Sequence, residues 1–257
     1  MALEVGARAH FEDAAYYAKT YASRTEDVAF YARLAADTAV LEYGIGSGRI
    51  AIPMARAGAT VIGVDWSKPM LADLDARLAR EAPHVRKRVR AVHGDMREVR
   101  LRRRFPLVTC TFNTFLHLYV RDDFERFFAR VKAHLEPGGR FVFDASVPHP
   151  GDLDRDPDKA YPAPRLLHPT TGQVVKYFER FDYDWARQIL FVMIEFRPVD
   201  GSEPWSVPLA HRQIFPEEMH ALLHYNGFVV ERVDGNFEGD PMTRHSDMGV
   251  WHCRVKP

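Results

Sequence analysis

Residues 40 to 65 constrain the fold of this chain more than any other stretch. Val40 and Leu41 end an apolar run that leads into glycines at 44, 46 and 48. A segment of helical periodicity follows (Ile50, Ile52, Met54, Ala55, Ala57), and Gly58 closes it. A second apolar run, Val61 to Val64, ends on Asp65. Strand, glycine turn, helix, strand, acid is the order of a βαβ unit, which sets the acid beside the glycine turn. Glycines there let backbone approach a ligand with no Cβ in the way. An acid about 20 residues past the turn is placed to grip a ribose hydroxyl pair. The unit predicts a nucleoside-binding corner.

The spacing narrows the nucleoside. It is Gly44-x-Gly46-x-Gly48, with Glu42 two places before the first glycine. The dinucleotide fingerprint G-x-G-x-x-G needs its third glycine where this chain has Arg49, which disfavours a nicotinamide oxidoreductase. No lysine follows the glycines, so a phosphate-cradling Walker loop is excluded.

Bulk properties remove other classes. The 257 residues suffice for one α/β domain with a large core. The formal net charge of +0 gives no general attraction to nucleic acid or to an anionic membrane. No apolar run approaches the roughly 18 residues of a membrane span, and the N-terminus lacks an apolar signal core. Cys110 and Cys253 form neither a disulfide framework nor a metal-knuckle spacing, so a reducing, cytoplasmic setting is expected.

The remaining chain continues the alternation. Residues 9–36 read as two helices broken near 23–27, with Thr25 as a cap and Glu26 and Asp27 at the positive end of the second. Ser67 caps a helix through Leu78 with Pro69 in its first turn. Val89–His93 is a short strand inside an arginine-rich run (Arg86 to Arg104). That run suggests RNA contact only weakly, because no aromatics interleave for base stacking, and it reads as a solvated face.

A fourth strand, Leu107–Phe112, delivers Asn113 to Tyr119 at its carboxyl end, where doubly wound sheets hold ligands. A helix from Asp122 to Leu135 and a fifth strand, Arg140–Asp144, follow. Residues 145–173 read as a loop. Asp152, Asp154, Asp156 and Asp158 fail the EF-hand pattern, which needs Gly and Glu where Pro157 and Ala163 stand. Three β-like runs (174–183, 188–199, 205–214) then predict an antiparallel insertion, with Glu179 interrupting the apolar face of the first. Pro216–Tyr225 is a helix, and 229–233 and 249–255 are the last strands.

On Glu42, Gly44, Gly46, Gly48 and Asp65 the chain resembles the class I S-adenosylmethionine-dependent methyltransferases, whose first motif is E/D-x-G-x-G-x-G. Gly94-Asp95-Met96 and Leu135-x-Pro137-Gly138-Gly139-x-Phe141 match two further family motifs. The matches span residues 40–145, and the pattern is nearest to the small-molecule group that includes sugar-amine N-methyltransferases and glycine N-methyltransferase-like enzymes.

The resemblance implies a Rossmann-like, doubly wound, seven-stranded α/β sheet with an antiparallel last strand, in a single domain over 1–257. It implies S-adenosyl-L-methionine as cofactor, and no metal. An N-terminal helical lid over 1–37 would bring Tyr17 or Tyr21 to the cofactor. A β insertion over 146–214 would either cover the substrate pocket or pair two copies as a homodimer.

Within the corner, the resemblance implies that the glycine turn lies against the methionine part and that Asp65 holds the ribose, with Glu42 among the cofactor-binding residues. Trp66 and Met70 wall the adenine slot, Asp95 accepts from the adenine amino group, and the Met96 N–H meets a ring nitrogen. Phe112 joins this set. Asn113 would offer a carbonyl to a substrate N–H, and His117 and Tyr119 would orient the nucleophile or take its proton. A hydrogen-bonded structural role competes for His117. The expected reaction is metal-independent methyl transfer to an amine nitrogen of a small molecule. A hydroxyl or carboxylate acceptor and a non-catalytic cofactor-binding partner are the alternatives.

Overall fold

The apolar runs become the strands of two sheets in a computed structural model that describes residues 3–257. In chain order the strands are β1 (Ala39–Tyr43), β2 (Thr60–Asp65), β3 (Val89–His93), β4 (Phe105–Cys110), β5 (Leu135–Ser146), β6 (Tyr161–Leu167), β7 (Val174–Asp184), β8 (Ile189–Pro198), β9 (Trp205–Arg212), β10 (Phe228–Asp234) and β11 (Met248–Val255). Seven lie in the order β10-β11-β5-β4-β1-β2-β3, and four in the order β6-β7-β8-β9. The chain divides into two compact units. The sheet unit holds Arg24–Val147 and Ile214–Pro257, and the other holds the residues up to Ser23 with Pro148–Gln213.

In the sheet unit, β1 to β5 pair in parallel. β11 runs antiparallel to both β5 and β10, as expected of the last strand. Both faces are covered. Leu41 and Tyr43 of β1 enter one core cluster while Val40 enters the other. Phe141 and Phe143 of β5 likewise part from Val142. Two-sided burial is why these strands read as unbroken apolar runs.

One cluster is built on phenylalanines: Phe127 and Phe128 of the helix Arg121–His134 meet Phe115, Phe141 and Phe143, all fully buried. Truncating one of them to alanine would cost about 3–5 kcal/mol. Strand order reverses between β1 and β4, and such a switch point opens a crevice at the carboxyl ends.

Several predicted boundaries shift. β4 stops at Cys110, two residues early, because Phe112 and Asn113 turn left-handed (φ 54 and 61). β5 starts at Leu135 and not at Arg140. Leu135 pairs with Phe105 before an irregularity absorbs Pro137 to Gly139, with Gly138 at φ 74. Thr25 stands at the cap of the helix Glu26–Leu34 but makes no capping bond through its side chain. That helix, grouped with the lid on sequence, belongs to the sheet unit, where Tyr31 is fully buried in the core. The helices Lys68–Ala79 and Pro216–Tyr225 lie where expected, and Ser67 Oγ accepts the Met70 N–H.

The other unit carries the largest correction. Residues 145–173, read as a loop, contain the helical turn Pro150–Leu153 and the strand β6. Pro162 and Pro164 hid the strand, since proline cannot serve a central ladder. β6 is an edge strand whose register shifts between Ala163 and Leu166, where missing N–H groups are tolerated. β7, β8 and β9 then form the predicted antiparallel run. Glu179 is half-buried in it because its carboxylate accepts the Tyr177 hydroxyl at 2.9 Å. Asp13 caps the helix Ala14–Thr20 at the Tyr16 N–H.

Candidate active site

The glycine turn follows from the end of β1. Gly44, Gly46 and Gly48 all have positive φ (74°, 52° and 77°). A Cβ on Gly44 would lie 2.5 Å from the Thr114 side chain, and one on Gly48 would strike Leu74. Gly46 is the open member: the nearest side-chain atom to a Cβ there would be Met70 Cε at 3.2 Å.

Asp65 closes the turn from β2. Its Oδ2 accepts the Gly46 N–H at 2.7 Å and its Oδ1 the Ser67 N–H at 2.8 Å. Burial raises its pKa, and those backbone bonds pull it back. The Trp66 backbone bonds the carboxylate as well, so its two oxygens carry three backbone donors and keep a lone pair for a ribose hydroxyl.

Glu42 lies at the other side of the turn and is fully buried. Thr111 Oγ1 donates to its Oε1 at 3.0 Å, while Oε2 is buried with no partner. Burial pushes this carboxyl up to about 8, against the pull of Thr111 and Arg49. An orphaned carboxylate oxygen costs about 1–3 kcal/mol and calls for a donor. A ligand ammonium supplies one, so the residues present fit the methionine end of S-adenosylmethionine.

The turn after β4 is held from three sides. The Phe112 N–H donates to both oxygens of Asp144 (3.0 and 2.9 Å), and the Tyr31 hydroxyl donates to the same carboxylate at 2.7 Å. Burial pushes Asp144 up to about 6. The guanidinium groups of Arg24 and Arg49 lie over the Phe112 ring at 4.8 and 4.5 Å. Arg49 is fixed in turn by Asp27 through bonds of 2.9 and 2.5 Å. Consecutive left-handed residues other than glycine cost of order 1–3 kcal/mol each and persist where surroundings enforce them.

The remaining predicted residues fall out as follows. Asn113 Oδ1 accepts both the N–H (2.8 Å) and the hydroxyl (3.1 Å) of Ser146, so its carbonyl is taken up within the protein. His117 Nδ1 and the Tyr119 hydroxyl are bonded at 3.0 Å, and burial raises the Tyr119 pKa.

Trp66 is exposed and Met70 buried. The Met96 side chain packs on the core. Asp95 carries Arg97, which holds its carboxyl below the usual range although burial alone would raise it. Tyr17 and Tyr21 belong to the other unit, where the Tyr21 hydroxyl bonds His10 Nε2 at 3.1 Å and the Tyr17 ring lies 5.7 Å from that of His10.

Sequence reasoning passed over Thr111, Asp144, Tyr31 and the Asp27–Arg49 pair. Asp144 carried a readable signal: like Asp65, it is an acid closing an apolar strand. The arginine-rich run is mostly exposed, as a solvated face would be, with three of its members held by the protein. Arg88 donates to the Gly58 carbonyl, Arg97 to Asp95 and Asp123, and Arg103 lies over the Phe105 ring.

A seven-stranded sheet of this order, with an acid clasping a glycine turn at its switch point, defines a nucleoside-binding Rossmann-like α/β protein. Residues 40–139 match the family model described as a methyltransferase domain. The chain is 29% identical over 215 residues to a cypemycin N-terminal methyltransferase of Streptomyces sp, covering 80% of this chain and 79% of that protein. The CcbJ methyltransferase of Streptomyces caelestis superposes with a TM-score of 0.78 at 24% identity, over 98% and 99% of the two chains. The glycopeptide N-methyltransferase MtfA, solved with S-adenosyl-L-methionine, gives 0.64 at 24% identity, over 91% and 87%. Residues 40–139 are thus a methyltransferase domain; the protein is an S-adenosylmethionine-dependent methyltransferase, and S-adenosylmethionine is its cofactor. Among the described residues no helix is long and apolar enough to cross a membrane.

Proposed function

We propose that this enzyme transfers the methyl of S-adenosylmethionine to an amine nitrogen of a small molecule. The observation that carries the site reading is the buried, partnerless Oε2 of Glu42 beside a turn that only glycines can form. Nitrogen as acceptor is supported by the relatives' chemistry. Besides the cypemycin enzyme, a dTDP-3-amino-3,6-dideoxy-alpha-D-glucopyranose N,N-dimethyltransferase of Streptomyces fradiae is 32% identical over 105 residues, though over only 41% of this chain.

In this reading Glu42 takes the ammonium of the methionine part, and the backbone of Gly44, Gly46 and Gly48 lies against it. Asp65 takes a ribose hydroxyl with the lone pair its backbone bonds leave. Asp95 and the Met96 N–H take the adenine edge, Trp66 and Met70 wall its ring, and Phe112 closes the slot. Bound cofactor supplies a methyl on positively charged sulfur, already activated. The chain's contribution is alignment of a nucleophile behind that methyl, which can lower a barrier by ~7–11 kcal/mol. His117 and Tyr119 orient the incoming nitrogen. Among the described residues no three His, Cys, Asp or Glu side chains are grouped as a metal site requires.

The His117–Tyr119 bond favours a second reading, a hydroxyl acceptor whose proton this pair would take. Incubating the protein with S-adenosylmethionine and matched amines, alcohols and acids, and measuring S-adenosylhomocysteine, separates the readings. Turnover confined to amines supports the first. Turnover confined to alcohols or acids replaces it with the second, and cofactor binding without turnover on any acceptor supports a non-catalytic partner.

A further inference from the structure

We infer that Arg97 is a positioning residue that ties the loop after β3 to the turn after β4, so that cofactor binding at one orders the other. The inference rests on the site reading above. The Arg97 backbone N–H and Nε donate to Asp95 Oδ1 at 2.8 and 2.9 Å. Nη2 donates to Asp95 Oδ2 at 2.6 Å, with a longer Nε contact of 3.1 Å to the same oxygen. The other arm, Nη1, donates to Asp123 Oδ1 at 2.5 Å. Asp123 in turn uses Oδ2 to accept the N–H groups of Tyr119 (3.0 Å) and Val120 (3.2 Å), and the Tyr119 hydroxyl bonds His117. Hydrogen bonds therefore link Asp95, Arg97, Asp123 and Tyr119 in series, and the Tyr119 side chain carries the link on to His117.

The geometry requires an arginine. A planar guanidinium presents donors in a fixed fork and can engage two carboxylates at once, whereas an ammonium is a point charge that loses the fork. Global stability is a poor explanation for the arrangement, because both Arg97 and Asp95 are about one-third exposed, where solvent screens an ion pair. The arrangement does fix direction. Each oxygen of Asp95 takes two contacts from Arg97, and the longest of them, the 3.1 Å Nε contact, is on Oδ2, which makes Oδ2 the less committed oxygen and the one to meet an adenine amino group. Asp123 is the buried carboxylate of the series and sits at the third position of the helix Arg121–His134. A shift of Asp95 on ligand binding thus pulls on a rigid element that begins where the acceptor-facing turn ends.

The test uses the full chain with S-adenosylhomocysteine as probe, in wild type, Arg97→Met, Arg97→Lys and Asp123→Asn. Calorimetry reads the affinity and amide hydrogen exchange reads residues 113–120. In wild type the probe should slow exchange in 113–120 several-fold. Asp123→Asn keeps an oxygen for the Tyr119 and Val120 N–H groups but loses the charge facing Arg97. It should bind the probe within about twofold of wild type and lose that protection. Arg97→Met should lose the protection and bind roughly tenfold more weakly, with Arg97→Lys between the two. The inference is overturned if Asp123→Asn retains ligand-dependent protection, or if Arg97→Met loses protection evenly across the whole sheet unit. Wild-type protein that fails to bind the probe, or binds it without protecting residues 94–97, overturns the site reading instead.

Discussion

Asp65 and Gly46 stand 19 positions apart and are joined by a 2.7 Å hydrogen bond from the glycine N–H to carboxylate Oδ2. The acid therefore shapes the turn, and in the proposed reading it also takes the ribose. Replacing it by alanine leaves the Gly46 and Ser67 N–H groups without their acceptor and removes the charge-assisted bonds to the diol. Asp65→Ala should weaken S-adenosylmethionine binding by roughly 1–3 kcal/mol, about 5- to 150-fold, by calorimetry. Wild-type affinity in this variant would remove Asp65 from the cofactor site.

Gly44 tests the turn from the other direction. Alanine there meets the Thr114 side chain at 2.5 Å and adopts φ 74, a conformation that costs an L-residue roughly 1–2 kcal/mol. Gly44→Ala should lower the unfolding free energy and cofactor affinity together. Adding Thr114→Ala removes the clash but not the φ cost, so the double variant should regain only part of the loss in denaturant titration. Full recovery would mean that backbone conformation is unimportant at this position.

The sheet and its cofactor corner were legible because the residues that make them obey local rules. Apolar runs buried on two faces, glycines at three left-handed positions and an acid ending a strand all lie within residues 40 to 65. The features that escaped depend on partners far away in sequence. Tyr31 and Asp144 are 113 positions apart, and Thr111 and Glu42 are 69 apart. β6 escaped for a different reason, since its prolines mimic a loop unless the strand is known to lie at an edge. The bond between Asn113 and Ser146 escaped as those distant pairs did, since the two are 33 positions apart.

Glu42 should impose a pH dependence on the ligand-free protein. Its carboxyl is pushed from the ordinary 4.5 up to about 8, chiefly by burial. The folded state thus holds a proton that the unfolded state has released. The stability this confers is fully present below about 4.5 and is lost as pH rises through about 8. Asp144, raised to about 6, has the same sign but completes its titration earlier. Between pH 6.5 and 8 the wild type should therefore lose about 1.4 kcal/mol per pH unit that Glu42→Gln does not. Parallel profiles in denaturant titrations would mean that Glu42 is not held protonated. Binding of the cofactor's ammonium favours the ionised form, so proton release on binding near pH 7 should appear as a buffer-dependent calorimetric enthalpy in wild type and vanish in Glu42→Gln.

The Asn113–Ser146 clamp separates positioning from direct participation. Asn113 combines a left-handed backbone, which asparagine tolerates, with a side chain that accepts twice from Ser146. Asn113→Gly keeps the backbone conformation and deletes the bonds, while Asn113→Ala adds strain to the same deletion. If the residue only positions the turn, glycine should be the milder change in thermal stability. Both variants should then lose turnover on the acceptor that scores in the amine screen through kcat, with S-adenosylmethionine affinity within about twofold of wild type. Ser146→Ala removes one of the two donors to Oδ1 and leaves the backbone N–H bond, so it should cost no more than about 1 kcal/mol. A rise in the acceptor KM in Asn113→Gly with kcat unchanged would show that the amide contacts the acceptor after all, because loss of uniform binding alone raises KM in that way.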